Sequence, residues 1–301
     1  MIQMRLAAQG SIVQQKTIEL FESRRLWDWL LIRGASPYAT ASIYPYLLAV
    51  QESIYKLDQY GETHWAIESS KIDGIWGDIL ASISAGDAKS VVQPHVVRSL
   101  EELKAYQNIE LALRYDVDPL ALPIANFYYL KSCDLRLCRT LAAERLGLLA
   151  PPAAELRLWR LHDVSGEIKD DLNDIEEDNS TFNCNRFMIS LVKNGIVYTR
   201  REYCKFLRRC SLSLEEILKS AERADESTMI TSKVTRESIV EAERALQMRM
   251  IEMNDDSVFS PLGGRSLQKR MFGATCAKPF MFKNIYSYRN INFEQEKRRA
   301  G

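Results

Sequence analysis

Apolar side chains recur at helical spacing along most of the chain, and this pattern predicts an all-α fold. Between residues 11 and 32, apolar positions from Ile12 to Leu31 form one broad stripe. No two neighbouring runs show the alternation and turn residues of a strand hairpin. Further stripes predict helices over 38–60, 65–83, 99–115, 120–148 and 153–178, followed by more polar helices between 198 and 254.

Proline and glycine divide this pattern into elements. Pro151 and Pro152 end the apolar segment 120–148 and begin the next helix, and Asn194-Gly195 predicts a turn. Gly166 lies in mid-helix, where it permits a bend or a close approach of another chain segment. Beyond residue 254, glycine, proline and clustered Lys/Arg replace the helical pattern. The sequence therefore predicts a helical domain over 1–254 and a tail or lid over 255–301.

The segment 167–178 is strongly acidic. Because residues three and four apart are neighbours on a helix surface, its carboxylates share one face and repel one another. Lys169 is the only cation inside the run. Hard divalent cations such as Mg²⁺ bind to carboxylate oxygens and would relieve that repulsion. The candidate metal ligands in this run are Asp170, Asp171, Asp174, Glu177 and Asp178.

An acidic run can also have a role that involves no Mg²⁺. Runs of like charge usually lie on a solvated surface, so an exposed acidic helix face is the simplest alternative. A calcium-binding EF-hand loop fits poorly, because it needs alternating oxygen ligands and a glycine at its sixth position. The run has helical spacing and contains no glycine.

Composition narrows the classes of function. The chain has 301 residues, no formal net charge and 46% hydrophobic residues, as expected of a globular protein that does not bind nucleic acid through its overall charge. It contains no apolar run of the length that a transmembrane helix needs, so we expect no membrane span. Its six cysteines show no regular framework. They are typical of reduced thiols, and we expect a cytoplasmic protein.

Arginine side chains in the segment 120–148 are candidates for binding phosphate. Arg136 and Arg139 are three residues apart and share a helix face. The planar fork of arginine donors suits phosphate oxygens. Ordinary salt bridges near a helix end are the alternative, and Lys131 is the nearer partner of Asp134 by helical spacing.

The acidic run, the arginine-bearing helix before it and the chain length together resemble the class I isoprenoid synthase superfamily. This superfamily includes terpene cyclases, trans-prenyltransferases and squalene or phytoene synthases. The resemblance is specific between about Asp163 and Arg186. It implies a single-domain antiparallel bundle around a central cavity, with the run as the second aspartate-rich motif. Asp58 and Glu62 are the candidates for the first motif, with Asp73 and Asp78 as weaker options.

The resemblance also implies a mechanism and roles for individual residues. Two carboxylate clusters hold Mg²⁺, which binds an allylic diphosphate and neutralises its charge as it leaves. Arg136, Arg139 and Arg186 would donate hydrogen bonds to that diphosphate. An aromatic wall would exclude water and stabilise the carbocation, although a plain core role is the better explanation of any single aromatic residue. The candidates for this wall are Tyr55, Trp65, Trp76, Phe127 and Tyr128.

The resemblance favours a terpene cyclase that acts on geranyl, farnesyl or geranylgeranyl diphosphate. A prenyl diphosphate synthase or a head-to-head squalene or phytoene type synthase is the first alternative. Chain elongation needs a second basic site, for which the N-terminal region offers only Arg33 and the pair Arg24-Arg25. A non-catalytic helical binding protein is the second alternative, and a homodimer is one assembly that the sequence allows. In an enzyme, Asp58 and Glu62 would face Asp170, Asp171 and Asp174 across an apolar cavity. In a scaffold, the acidic faces would point to solvent.

Overall fold

The computed structural model describes residues 12–64, 66–85, 93–112, 118–178, 181, 183–220 and 226–254. Within these ranges the regular structure is entirely helical, which confirms the predicted all-α class. A short 3₁₀ turn, Pro119–Ala121, precedes the sixth helix. The helices are α1 (Ile12–Ser23), α2 (Leu26–Ile32), α3 (Pro37–Thr63), α4 (Ser69–Ser84), α5 (Pro94–Ala112), α6 (Ile124–Lys131), α7 (Cys133–Leu146), α8 (Ala153–Asn173), α9 (Ile175–Asp178), α10 (Arg186–Ser220) and α11 (Glu226–Asn254).

The first predicted helix is in fact two helices. The chain turns between α1 and α2 because Arg25 adopts a left-handed conformation with φ of 55°. That conformation costs a non-glycine residue about 1–2 kcal/mol. The turn directs the Arg24 side chain into the interior, where only 2% of the residue is exposed. Apolar spacing predicted the two buried faces but could not predict this break.

Helix α3 forms one wall of the bundle. It begins at Ser36, whose side-chain oxygen accepts a hydrogen bond from the Ala39 N–H at 3.1 Å. It continues through Pro45 without ending there. Leu47, Ile54 and Leu57 are buried on its inner side. The same helix carries Asp58 and Glu62 one turn apart near its C-terminal end.

Helix α8 lies at the centre of the fold and packs most extensively against α11, with further contacts to α6 and α10. Leu158, Ile168 and Leu172 are completely buried. Several of its polar residues are buried as well, including Asp163, Glu167 and Asp171. The acidic run is therefore not simply a solvated helix face. The predicted helix 153–178 also ends earlier, at Asn173, and Asp174 separates α8 from α9.

Other predicted boundaries need smaller corrections. The helix predicted from Ser99 begins five residues earlier at Pro94, and the segment 120–148 divides at Ser132 into α6 and α7. The predicted turn at Asn194-Gly195 is confirmed, since Gly195 interrupts α10 with φ of 77°. The predicted tail or lid, 255–301, lies outside the described residues. None of the described helices combines the length and the apolar character needed to cross a lipid bilayer.

Candidate functional site

A small cavity inside the bundle is lined mainly by carboxylates, and we call it the acidic cavity. Its volume is about 170 Å³, and helices α1, α3, α5, α8 and α9 and the α6–α7 junction contribute to its wall. Among the described residues the wall has two cationic side chains, Arg24 and Lys131. Its carboxylates are Asp58, Glu62, Glu110, Asp134, Glu167, Asp170, Asp174 and Asp178.

Two separate segments bring acidic groups to this cavity, although Asp171 does not line it and its wall is mainly carboxylate rather than apolar. Asp58 and Glu62 of α3 line one part of the wall, while Asp170 and Asp174 line another part at the end of α8. Residues four apart on a helix share a face, so each pair acts as a unit. Asn183 donates a hydrogen bond to Glu62 over 2.7 Å and thereby joins the loop before α10 to α3.

Arg24 crosses from the α1–α2 turn to the acidic run. One of its guanidinium nitrogens lies 2.5 Å from Asp170 and 2.9 Å from Glu167. The crossing depends on Gly166, because a Cβ at that position would overlap the guanidinium. The close approach that the sequence allowed at Gly166 is thus confirmed. Arg24 compensates part of the negative charge that α8 brings into the interior.

Asp171 lies behind the acidic cavity and is fully buried. Its carboxylate accepts hydrogen bonds from the Tyr128 hydroxyl at 2.7 Å and from the Arg186 backbone N–H at 2.9 Å. It also pairs with Lys131, which the sequence had assigned to Asp134. A carboxylate held by three donors serves to fix the surrounding helices, since most of its about four lone-pair sites are already occupied.

Burial raises the pKa of several carboxyl groups in the acidic cavity. Loss of hydration, reinforced by Glu110, raises the pKa of Glu62 to about 7. Loss of hydration also raises the pKa of Asp178 to about 7 and that of Glu167 to about 8. The pKa of Asp58 is well above its ordinary range for the same reason, with added repulsion from Glu110 and Glu62. Near neutral pH the acidic cavity therefore holds protons that a bound cation would displace.

The donor set suits Mg²⁺, although the described residues do not form a closed metal cage. All the acidic ligands are oxygen donors, and Mg²⁺ commonly binds through one or two carboxylates together with phosphate and water. Among the described residues, no three His, Cys, Asp or Glu side chains are arranged to hold one ion. The Tyr106 hydroxyl and Asn183 Oδ1 also line the acidic cavity and have no hydrogen-bond partner in the described part of the chain. The cavity thus presents free polar atoms as well as carboxylates.

The three predicted arginines do not line the acidic cavity. Arg139 pairs with Asp163 at 2.8 Å, and Arg136 pairs with Glu102 at 2.7 Å. Both line a second and larger cavity elsewhere in the fold. The Arg186 guanidinium pairs with Glu202 at 3.0 Å. The structure therefore separates these side chains from the acids with which the sequence had grouped them.

The predicted aromatic wall is only partly assembled. Tyr55 lines the acidic cavity, but Phe127 and Tyr128 are completely buried in the core. The Trp76 indole N–H donates to Gln107 over 2.8 Å, away from this cavity. Trp65 lies outside the described residues. Glu177, a predicted metal ligand, is exposed and pairs with Lys16 at 2.7 Å.

Sequence reasoning missed several residues of the acidic cavity. Arg24 was considered only with Arg25 for a second basic site, Lys131 only as a partner of Asp134, and Tyr106 not at all. No local pattern marks them, because each lies on a different segment and enters the cavity only through packing. Glu110 gave no distinctive signal, because α5 carries two further acids, Glu101 and Glu102.

Comparisons with known proteins do not place this chain in a family. No family model, no curated protein and no solved structure matches it. The residues of the acidic cavity are therefore the basis on which a function is inferred.

Proposed function

We propose that this protein is a Mg²⁺-dependent enzyme of the class I isoprenoid synthase type, with a terpene cyclase as the favoured form. One observation carries the proposal. Asp58 and Glu62 on α3 line the same interior cavity as Asp170 and Asp174 at the end of α8. Two acidic clusters on separate helices around one cavity are what the resemblance of the sequence implies for such an enzyme.

The carboxylates would hold the metal from two sides. Asp58 and Glu62 would ligate from α3, and Asp170, Asp174 and Asp178 from the other side. When bound, Mg²⁺ would neutralise the charge that builds up on the departing diphosphate. The raised pKa values of Glu62 and Asp178 mean that both acids would release protons as the metal binds. Cation binding should therefore depend strongly on pH.

Arg24 and Lys131 would bind the diphosphate. Both line the acidic cavity, and both are held by carboxylates in the structure. Burial alone would lower the pKa of each, but the nearby carboxylates outweigh it and raise both pKa values, so both side chains stay positively charged at neutral pH. Charge-assisted hydrogen bonds to phosphate oxygens are among the stronger polar contacts in proteins. This role replaces the one that the sequence gave to Arg136, Arg139 and Arg186.

The remaining wall would shield the reacting carbon. Leu20, Ile54 and Leu103 exclude water, and Tyr55 and Tyr106 add aromatic rings. An aromatic face stabilises a nearby cation by about 0.5–2 kcal/mol. Burial raises the pKa of both tyrosines, so their hydroxyls remain protonated at neutral pH.

A cyclase fits the cationic groups better than chain elongation does. Two cations line the acidic cavity among the described residues, which suits one diphosphate rather than two. A prenyl diphosphate synthase or a head-to-head synthase would need a second diphosphate site beside the first. Those two activities remain the alternatives within the same class.

A specific observation favours a second candidate, a helical binding protein without catalytic activity. The acidic cavity measures about 170 Å³, whereas ligand cavities commonly measure about 300–1,000 Å³. The catalytic proposal therefore requires the cavity to widen when a prenyl diphosphate enters. A non-catalytic protein would not need this change.

The test is incubation of the full chain with geranyl, farnesyl and geranylgeranyl diphosphates, with and without Mg²⁺, followed by mass spectrometry of an organic extract. We expect a Mg²⁺-dependent hydrocarbon or alcohol from one of them. The double variant Asp58→Asn/Glu62→Gln should abolish it. Because these neutral residues relieve repulsion in the cavity, the variant should fold, and lost activity would report lost metal binding.

The matched control is Glu237→Gln/Glu241→Gln on α11. These acids are also four residues apart, but they form surface ion pairs with Arg25 and Lys169. The control should retain activity. Absence of product from all three substrates, including after addition of isopentenyl diphosphate, would overturn the catalytic proposal and favour the binding protein. Equal activity in the Asp58/Glu62 variant would remove these residues from the site.

A further inference from the structure

The largest cavity among those described lies away from the acids and is rich in arginine, and we call it the arginine cavity. Its volume is about 840 Å³. It is formed by α2, the start of α5, Tyr129 of α6, α7, the loop that follows α7, and the first half of α8. Four arginines line it: Arg136, Arg139, Arg157 and Arg160.

Two of these arginines are part of the framework. Arg139 is buried, pairs with Asp163 at 2.8 Å and lies over the Trp159 ring at 4.7 Å. Arg136 pairs with Glu102 and lies over the Tyr129 ring at 3.7 Å. Paired and stacked guanidinium groups are held in fixed orientations. Arg136 and Arg139 therefore shape the wall.

The positive charges of the other two arginines are not paired with a carboxylate in the described part of the chain. Arg157 and Arg160 are exposed on α8 and form no ion pair with any carboxylate among the described residues. Arg160 lies over the Tyr129 ring at 4.4 Å. Two carboxylates also line this cavity: Asp163 is paired with Arg139, and Glu144 lies 2.8 Å from the His95 ring, which offsets its charge only when protonated. The four arginines therefore outnumber the carboxylates in the lining. The cavity thus has an uncompensated positive side.

The rest of the wall is apolar and aromatic. Trp29 and Trp159 line it together with Leu148, Leu156 and Ala143. Cavities that bind small molecules combine such surfaces with a few well-placed polar groups, and their volumes commonly reach several hundred Å³. The arginine cavity has both features. An occupant that fits them carries an anionic head and an apolar body.

We propose that the arginine cavity binds an amphipathic organic phosphate, with its head at Arg157 and Arg160 and its apolar body against Trp29 and Trp159. Phosphate suits two adjacent arginines better than a carboxylate does, because it offers three terminal oxygens and up to two negative charges. The ligand would bind without metal, since the cationic side chains supply the charge. This proposal does not depend on the acidic cavity or on its chemistry.

The probe is decyl phosphate below its micelle concentration, titrated into the full chain by calorimetry in the presence of EDTA. Arg157→Gln/Arg160→Gln should weaken binding by about tenfold or more, because charge-assisted hydrogen bonds are lost. Both side chains are exposed, so the variant should keep its fold, which circular dichroism would check. The matched control, Arg208→Gln/Arg209→Gln, removes two exposed arginines from α10 and should bind like the wild type.

Other ligands distinguish the parts of the proposed occupant. Decanol has the apolar chain but no anionic head, and inorganic phosphate has the anion but no apolar chain. Decanoate keeps the apolar chain and carries a carboxylate in place of the phosphate. Each should bind more weakly than decyl phosphate. Equal binding of decanol or decanoate would overturn the assignment of a phosphate, and equal affinity in the two double variants would overturn the site. Asp58→Asn/Glu62→Gln should leave this binding unchanged, so the result is independent of the proposed isoprenoid chemistry.

Discussion

The guanidinium of Arg24 occupies the space beside Gly166 in which any other residue would place its Cβ. This contact lets the turn between α1 and α2 reach into the bundle and set a buried cation against Glu167 and Asp170. A glycine that weakens the helix thus permits the ion pairs that hold its acidic end in the interior.

Replacement of Gly166 by alanine should destabilise the fold. The added Cβ would displace the Arg24 guanidinium from both Glu167 and Asp170 and leave this buried cation without its partners. Breaking a buried ion pair costs about 3–5 kcal/mol, and alanine returns about 1 kcal/mol of helix propensity. We expect a net loss of about 2–4 kcal/mol in the free energy of unfolding, measured by urea denaturation.

Gly77→Ala on α4 is the matched control for this substitution. Gly77 is also helical, and no heavy atom lies within 4 Å of the position that its Cβ would take. This variant should stabilise the chain by up to about 1 kcal/mol. If Gly166→Ala were as stable as Gly77→Ala, the contact between Arg24 and Gly166 would not have the role argued above.

Adjacent acids of the run should respond differently to substitution. Asp171→Asn would leave Lys131 buried without its carboxylate partner and would disturb the bonds from Tyr128 and Arg186. We expect a loss of about 3–5 kcal/mol in unfolding free energy. Asp170→Asn should cost about 1 kcal/mol or less, because Asp170 is partly exposed and its removal lowers the pKa of Glu167, which then carries the negative charge that pairs with Arg24.

Enzymatic assays of the same two variants separate structure from function. Asp170→Asn should stay folded and lose Mg²⁺-dependent activity, whereas Asp171→Asn should lose stability first. Thermal unfolding of both proteins, followed by assays well below the transition, makes the comparison. Similar stability of the two variants would contradict the assignment of Asp171 to the framework.

The part of the acidic cavity that could be predicted from the sequence is the grouping of acids one helical turn apart. Asp58 and Glu62 are one turn apart on α3, and Asp170 and Asp174 are one turn apart at the end of α8, so their grouping follows from helix geometry alone. That the two groups would line one cavity required the resemblance. The all-α class followed from the same periodicity.

The errors have a common physical origin, which is tertiary packing. Arg139 and Arg136 were expected beside a diphosphate in the acidic cavity. They instead pair with Asp163 and Glu102 and line the arginine cavity. The burial of Arg24 was not predicted, because the apolar stripe from 11 to 32 indicated one continuous helix without the turn at Arg25. A helix pattern specifies which residues share a face, but it does not specify which neighbour that face meets.

Stability should increase as the pH is lowered from about 8 to about 5.5. The pKa values of Glu62 and Asp178 are raised in the folded chain, so the folded state binds more protons than the unfolded state in this interval. The free energy of unfolding therefore falls as pH rises, by about 2–4 kcal/mol overall. Buried His162 works in the opposite direction because its pKa is lowered, but it is one group against several acids. Thermal unfolding across this interval measures the slope.

A variant identifies the groups responsible for this slope. Glu62→Gln/Asp178→Asn removes two of the titrating acids and should make the stability less dependent on pH. Glu237→Gln/Glu241→Gln on the surface should leave the slope as it is in the wild type. An unchanged slope in the first variant would show that the pH dependence arises elsewhere in the chain.

Magnesium should stabilise the protein at about pH 8 much more than at about pH 5.5, because protons and the metal compete for the same carboxylates. Millimolar Mg²⁺, alone and with inorganic diphosphate, should therefore raise the midpoint of thermal unfolding at the higher pH. NaCl at the same ionic strength controls for screening of the repulsion between acids. Asp58→Asn/Glu62→Gln should remove the effect, since it deletes the ligands on α3. If Mg²⁺ raised the midpoint equally at both pH values, or no more than NaCl did, the acidic cavity would not be a divalent-cation site, and protons together with Arg24 and Lys131 would compensate its crowded carboxylates.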